Sequence, residues 1–205
     1  MNLSIFGKIA GALALTVGLA GCMDVSMELE VLSETNGRMT TTSVVGADIY
    51  PMLKAGMAQA QTEGAEASAE EGFCEEEGSV LTENADGSAT CVMVKEGALA
   101  ELGEGDDGPK FEVVSPGVVK VSFSTEQMKG ELGADETMDA ETKAMMQTFF
   151  EGHNITIRIK GKQVLDTSMT KSADGTSAEV VIPFLDLING TINLPADLYA
   201  TIKTN

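Results

Sequence analysis

The chain has 205 residues, with 32 Asp and Glu against 13 Lys and Arg, a formal net charge of −19. That balance excludes a nucleic-acid binder, which needs Lys and Arg on phosphates, and argues against a protein lying flat on an anionic leaflet. The length suits one domain, and with no Trp, 4% aromatic residues and 12 Met, methionine must fill part of its core.

At the start, Lys8 precedes an apolar run from Ile9 to Ala20. A short basic region, an apolar stretch and small residues make a secretory signal peptide. The run is too short to cross a bilayer as a mature helix, and no other stretch is long enough. It closes with Leu19-Ala20-Gly21-Cys22, which resembles the lipobox of bacterial lipoproteins. The resemblance implies cleavage before Cys22 and diacylglycerol on its sulfur, leaving residues 1–21 as leader and 22–205 as the mature chain. Each buried CH₂ of an acyl chain contributes about 0.8 kcal/mol, so two or three chains hold a protein durably at a membrane. The alternative is an N-terminal buried strand with a chance cysteine. Met23 follows the cysteine and Asp24 comes one place later. An inner-membrane retention signal has Asp directly after the cysteine, so the outer membrane is favoured over the inner, with the domain facing the periplasm.

Val25, Met27, Leu29 and Val31 alternate with Ser26, Glu28 and Glu30, the pattern of a half-buried strand. Asn36-Gly37 is a two-residue hairpin signal, and a Thr-rich strand returns over 38–45. Asp48 can cap a helix starting near Ile49, with Pro51 in its first turn. Acidic residues crowd Glu63 to Asp107 and are opposed only by Lys95; this reads as a solvated loop region or, alternatively, a cation-binding patch. Cys74 and Cys91 lie within it. An exported chain meets a compartment where disulfides persist, so these two are expected to pair. Their bridge would close the polar loop "EEEGSVLTENADGSAT" and contribute about 3 kcal/mol.

Asp86-Gly87 precedes a strand over 88–95, and "GEGDDG" leads to a hairpin of 111–114 and 118–124 turned by Ser115-Pro116-Gly117. Met138, Met145 and Phe149 recur at helical spacing over 135–150, and Gly152 stops that helix. Ile155, Ile157 and Ile159 then alternate with Thr156, Arg158 and Lys160. Gly161 turns the chain into a strand over 163–169, and Asp174-Gly175 turns it into another over 177–184. "LPADLYATIKT" offers a last strand. This layout predicts an α+β fold, an antiparallel β-sheet of hairpins with two helices packed against it.

No arrangement of residues announces catalysis. His153 is the one histidine and no Ser, Asp or Cys motif frames it. No histidine pair suits zinc, no phosphate loop is present, and "ENADGSA" and "SADGTS" lack the ligand spacing of calcium loops. Met138, Met145 and Met146 suggest copper(I) or core filling, of which core filling is the reading adopted. No cofactor or metal is expected. A tethered, exported domain of this kind is expected to bind rather than catalyse. Met138, Met145 and Phe149 would wall an apolar pocket between helix and sheet, suited to a lipid-like or other hydrophobic envelope ligand. The alternative is a structural or assembly factor that binds protein partners through a sheet edge; an enzyme is a third reading.

Cys22 followed by "DVSMELEVLSETNGRMTTTSVVG", with the later strand–turn–strand–turn–strand "NITIRIKGKQVLDTSMTKSADGTSAEVVIPF", resembles the LppM-type lipoprotein domain. The resemblance covers most of 22–190. It implies an α+β ectodomain on an envelope lipoprotein, with lipid or lipoglycan binding in one branch, and it brings no catalytic residues. The lipobox yields a direct expectation. In a bacterial host Cys22→Ser should leave the membrane fraction or persist as uncleaved precursor, and a fully processed, membrane-bound variant on fractionation and intact mass would end the lipoprotein reading.

Overall fold

A computed structural model describes residues 23–55, 73–74, 76, 78–104, 108–131 and 150–204. Antiparallel hairpins join β1 (Met23–Val31) to β2 (Asn36–Val45), β3 (Ser79–Glu83) to β4 (Ala89–Ala98) and β5 (Lys110–Ser115) to β6 (Val118–Ser124). They are followed by β7 (Asn154–Lys160), β8 (Gln163–Thr167), the short β9 (Thr170–Lys171), β10 (Ser177–Pro183) and β11 (Asp197–Lys203). Helices occupy Leu99–Leu102, Thr125–Glu131 and Phe184–Ile188, and residues 50–55 are helical. The described chain is therefore mostly β with some helix, in keeping with an α+β class. Among the described residues no helix is long and apolar enough to cross a membrane. The helix expected from Ile49 is present at 50–55. The one expected at 135–150 lies outside the described residues, apart from Phe150.

The expected single antiparallel sheet is replaced by two sheets. One has seven strands in the order β3-β4-β2-β1-β7-β10-β9, the other four in the order β5-β6-β11-β8. The large sheet is mixed, because β1 and β7 run parallel, from Val25 beside Ile155 to Glu30 beside Lys160. The hairpin expected at Gly161 does not form. β7 pairs with β10, while the chain crosses at Gly161 into the small sheet, where β8 pairs with β11. Local alternation marks both strands as half-buried but carries no information on which partner each takes.

The sheets pack through their apolar faces. Leu29, Val31, Ile157, Ile159, Ala178 and Ile182 of the large sheet meet Val119, Val121, Phe123, Leu198, Ala200 and Ile202 of the small one in a single buried cluster. Period-two alternation supplies each set, since successive side chains of a strand point to opposite faces. At the end of the sandwich where β1 begins, Phe184 stacks on Phe150 with ring centroids 4.9 Å apart and fills the space beside Ile188.

Two local readings change. Asn36-Gly37 is not the turn of the first hairpin. Ser33, Glu34 and Thr35 make the turn, with Ser33 Oγ accepting from Asn36 N at 3.0 Å, and Gly37 already pairs with Val31 in the strands. Gly37 is needed for close approach instead, because a Cβ there would lie 2.7 Å from Leu99 Cδ2. The acidic loop closed by the cysteines also contains a strand that its composition did not suggest. β3 pairs with β4 from Ser79 beside Met93 to Glu83 beside Ala89, around the Asp86-Gly87 turn.

Gly161 makes the crossover possible. A Cβ built on it would collide with Ile202 Cγ2, a methyl of a fully buried side chain that cannot give way. Gly161→Ala should therefore lower the unfolding free energy by about 1–3 kcal/mol, the usual cost of overpacking. Gly46→Ala, where a Cβ meets nothing within 4 Å, should change it far less. Urea unfolding of both variants checks this, and equal effects would remove the steric argument.

Candidate functional site

The large sheet's face turned away from the small sheet is charged and polar over its middle strands and carries exposed Val80 and Val94 toward β3 and β4. The face turned away from the small sheet carries Glu28 and Glu30 from β1, Arg38, Thr40 and Thr42 from β2, Thr156, Arg158 and Lys160 from β7, and Glu179 from β10. Parallel pairing sets Glu28 beside Arg158 and Glu30 beside Lys160, and antiparallel pairing sets Arg158 beside Glu179. The result is a ladder of ion pairs. Lys160 Nζ donates to Glu28 Oε1 at 2.9 Å, Arg158 contacts Glu28 at 3.3 Å and also Glu179, and Arg38 bridges Glu96 at 2.7 Å and Glu30 at 3.5 Å. Exposed pairs are each worth about 0–1 kcal/mol, so the ladder contributes register more than bulk stability. Between the charges, Ser26, Thr40, Thr42 and Thr156 are short and leave an open depression of about 220 Å³. That is below the roughly 300–1,000 Å³ of small-molecule pockets, and the charges that flank it are already paired.

The opposite face is covered unevenly. The small sheet buries β1, β7 and β10 beneath it. Toward β2, β4 and β3 the coverage thins. Met93, Thr41 and Met27 lie side by side across β4, β2 and β1 and all three are only half-buried. Leu81, on the same face of β3, is 44% exposed. This flank is apolar, rich in the flexible side chain that adapts to irregular shapes. Lys95, two residues beyond Met93 on the same face, stands at its rim with Nζ 3.7 Å from Glu76.

Cys74 and Cys91 are joined by a disulfide, with their α-carbons 5.4 Å apart. Cys91 belongs to β4, beside Leu81 and Ser43. The bond ties Cys74 into a small cluster of Val45, Tyr50, Phe73 and Ala89 at the edge of the apolar flank. Tyr50 adds a hydrogen bond from its hydroxyl to Glu83 Oε1 at 2.8 Å, and Lys54 pairs with the same oxygen at 2.6 Å.

His153 sits where β7 begins. Its Nδ1 is buried without a hydrogen bond among the described residues, 3.5 Å from Asp24 Oδ2, while Asp24 Oδ1 accepts from Asn154 N at 2.9 Å. Cys22, Met138, Met145 and Phe149 lie outside the described residues. The charge ladder and the Met27–Met93 row were missed by sequence reading. Their members alternate visibly along each strand, but only the pairing of β1 with β7 and of β2 with β4 brings them together.

The sequence matches no protein-family model and no curated protein. Among solved structures, it is similar to the NMR structure of the folded domain of LppM from Mycobacterium tuberculosis, with 8% identity and a TM-score of 0.41 over 89% of this chain and 90% of that one.

Two expectations follow from the site. Burial pushes the Glu28 carboxyl up, but hydrogen bonds and charge from Lys160 and Arg158 outweigh it and hold the group below its ordinary value. In the turn before β10, bonds from Ser172 Oγ and from Thr176 N and Oγ1 lower Asp174 from 3.8 to about 2. A depressed carboxyl stabilises the fold fully above its unfolded pKa, and that stabilisation is lost as pH falls through the folded value. Stability should thus fall on acidification below about pH 4.5, and Asp174→Asn should flatten the part of the curve between pH 3.8 and about 2. An unchanged slope in denaturant titrations across that range would remove Asp174 as a contributor. Second, in protein exported to an oxidising compartment, Cys74 and Cys91 should resist alkylation until reduced, and reduction should cost about 3 kcal/mol. Ready alkylation would show that the bond does not form in the cell.

Proposed function

We propose that this chain is a lipid-anchored cell-envelope protein whose domain binds a lipid-like or other hydrophobic ligand and performs no catalysis. The observation that carries the anchor is in the sequence: the apolar run Ile9 to Ala20 closes with Leu19-Ala20-Gly21-Cys22, and the alternating strand pattern begins a few residues beyond that cysteine.

The binding part rests on the half-covered methionine row. Met27, Thr41 and Met93 present an adaptable apolar strip on the face of the large sheet that also carries its core, and the sequence places a Met- and Phe-bearing helix at 135–150 to wall it. An acyl chain suits such a strip. The rival, an assembly factor that adds a partner strand to a sheet edge, draws support from β5. It lies at the edge of the small sheet, with Val113 52% and Val114 54% exposed. The enzyme reading is the third alternative.

Titrating a fluorescent fatty-acid probe separates the first two readings. Saturable binding is expected, weakened about tenfold, which corresponds to 1.4 kcal/mol, by Met93→Asp and unaffected by Val113→Asp. No saturable binding by the parent protein, with Met145→Ala and Phe149→Ala both behaving as ordinary core truncations of about 2–5 kcal/mol, would discard the lipid pocket. The edge-binding rival would then stand.

A further inference from the structure

Two sheets leave four edge strands, β3, β9, β5 and β8, and three of them are short or tied. β9 is two residues long. β8 is held by the loop beside it, with Val164 N donating to Gly175 O at 2.8 Å and Lys171 Nζ donating to Val164 O. β3 is tied at its first residue, where Ser79 Oγ donates to Cys74 O at 3.0 Å. β5 differs. It runs for six residues and exposes all of them but Phe111, with Val113 52% and Val114 54% exposed. Such an edge presents unpaired N–H and C=O groups, which proteins ordinarily blunt. The ladder with β6 is interrupted at Val114, and Lys110 to Val113 pair regularly.

The charges on this strand are open as well. Phe111 and Val113 lie beside Val121 and Val119, which are buried in the core, so Lys110 and Glu112 point to the outer face. Neither enters an ion pair among the described residues, unlike Arg38, Lys54, Lys95, Arg158 and Lys160. Glu112 lies beside Lys120, whose Nζ is instead 4.7 Å from the centroid of the Tyr199 ring. One cation and one anion, two residues apart on one face of an open strand, make a pattern that is complementary to itself.

We propose that two copies of this chain pair antiparallel through β5, about a two-fold axis at Phe111, joining two four-stranded sheets into one of eight strands. That register sets Lys110 of each copy opposite Glu112 of the other, at the roughly 4.5–5.5 Å that separates cross-strand Cβ atoms. The half-buried Phe111 rings then meet on the inner face. Competing registers are poorer. An axis at Glu112 sets that carboxylate against its own copy, and an axis at Val113 sets it against Val114. A shift of one residue turns the inner face outward. The lone lysine and glutamate thus disfavour a generic strand while accepting this one. A two-fold contact of one patch with itself closes at the dimer, so no fibre grows. An edge of this length buries less than about 1,200 Å² and makes a weak, concentration-dependent dimer. The net charge of −19 on each chain opposes association at long range, but at physiological ionic strength charges beyond about 8 Å are largely screened, and the paired ones are closer. The pairing depends on neither the lipid anchor nor the ligand.

Sedimentation velocity of the purified full chain, from about 1 to about 200 μM at about 0.15 M salt, provides the test. The parent should pass from monomer to dimer across that range. Lys110→Glu and Glu112→Lys should each weaken the dimer about tenfold, because each replaces two attractive pairs by two repulsive ones. The double variant Lys110→Glu/Glu112→Lys should dimerise like the parent. So should an equimolar mixture of the two single variants, in which each supplies the charges the other lacks. Both side chains are exposed, and recovery in the double variant and in the mixture excludes misfolding as the cause of weakening. A parent that stays monomeric at the highest concentration, a dimer indifferent to the single swaps, or a failure of the double variant or the mixture to recover would each overturn β5 pairing.

Discussion

β1 and β7 run side by side and parallel from Val25 beside Ile155 to Glu30 beside Lys160. A pairing between strands this distant in sequence must close a long loop before it returns any contact energy. It is nevertheless the contact that makes the domain one body. The N-terminal hairpin, with β4 and β3 attached at its far side, forms one half of the large sheet. β7, β10 and β9 form the other half. Without the β1–β7 seam neither half buries its apolar face under the same roof.

The small sheet supplies that roof, and it reaches its place through the crossover after β7. Gly161 lets the chain pass beneath Ile202, and Val164 is then buried against β11. The apolar sets of the sheets meet in register-defined rows, so a one-residue slip of β1 would turn Leu29 and Val31 outward and Glu28 and Glu30 inward. The ion-pair ladder guards against that slip. Arg158 finds Glu28 and Glu179 only in the native register, and Arg38 finds Glu30 and Glu96 only there.

The roof is narrower than the floor. Four strands cannot cover seven, so the β2–β4–β3 flank depends on other parts of the chain for cover. The Cys74–Cys91 bond and the Tyr50–Phe73 contact secure one corner of it. The methionine row next to that corner remains half-buried. A large apolar sheet face left short of full burial is where a hydrophobic ligand or partner gains most, and for this reason the flank is favoured over the polar depression on the other face.

Period-two alternation placed β1 and β7, and β-branched composition and turn signals placed β2, β5, β6 and β10, each within a residue or two, because these signals are local to the strand and its turn. The same local chemistry identified Ser115-Pro116-Gly117 and Asp174-Gly175 as turns, both glycines having positive φ. The expectation of export made the Cys74–Cys91 pairing legible. Asn36-Gly37 misled because a strong turn dipeptide served a packing need imposed by Leu99, a residue far along the chain. β3 escaped notice because Val80 and Leu81 sit among acidic residues in an exposed edge strand, where little apolar pattern is required. Partnership was beyond the sequence altogether. Nothing in "NITIRIK" says that it lies parallel to "DVSMELE", or that the strand after Gly161 belongs to another sheet. Alternation specifies which side chains need burial, and only the closed tertiary structure, in which two apolar faces and one ladder of opposite charges must be satisfied at once, decides against whom.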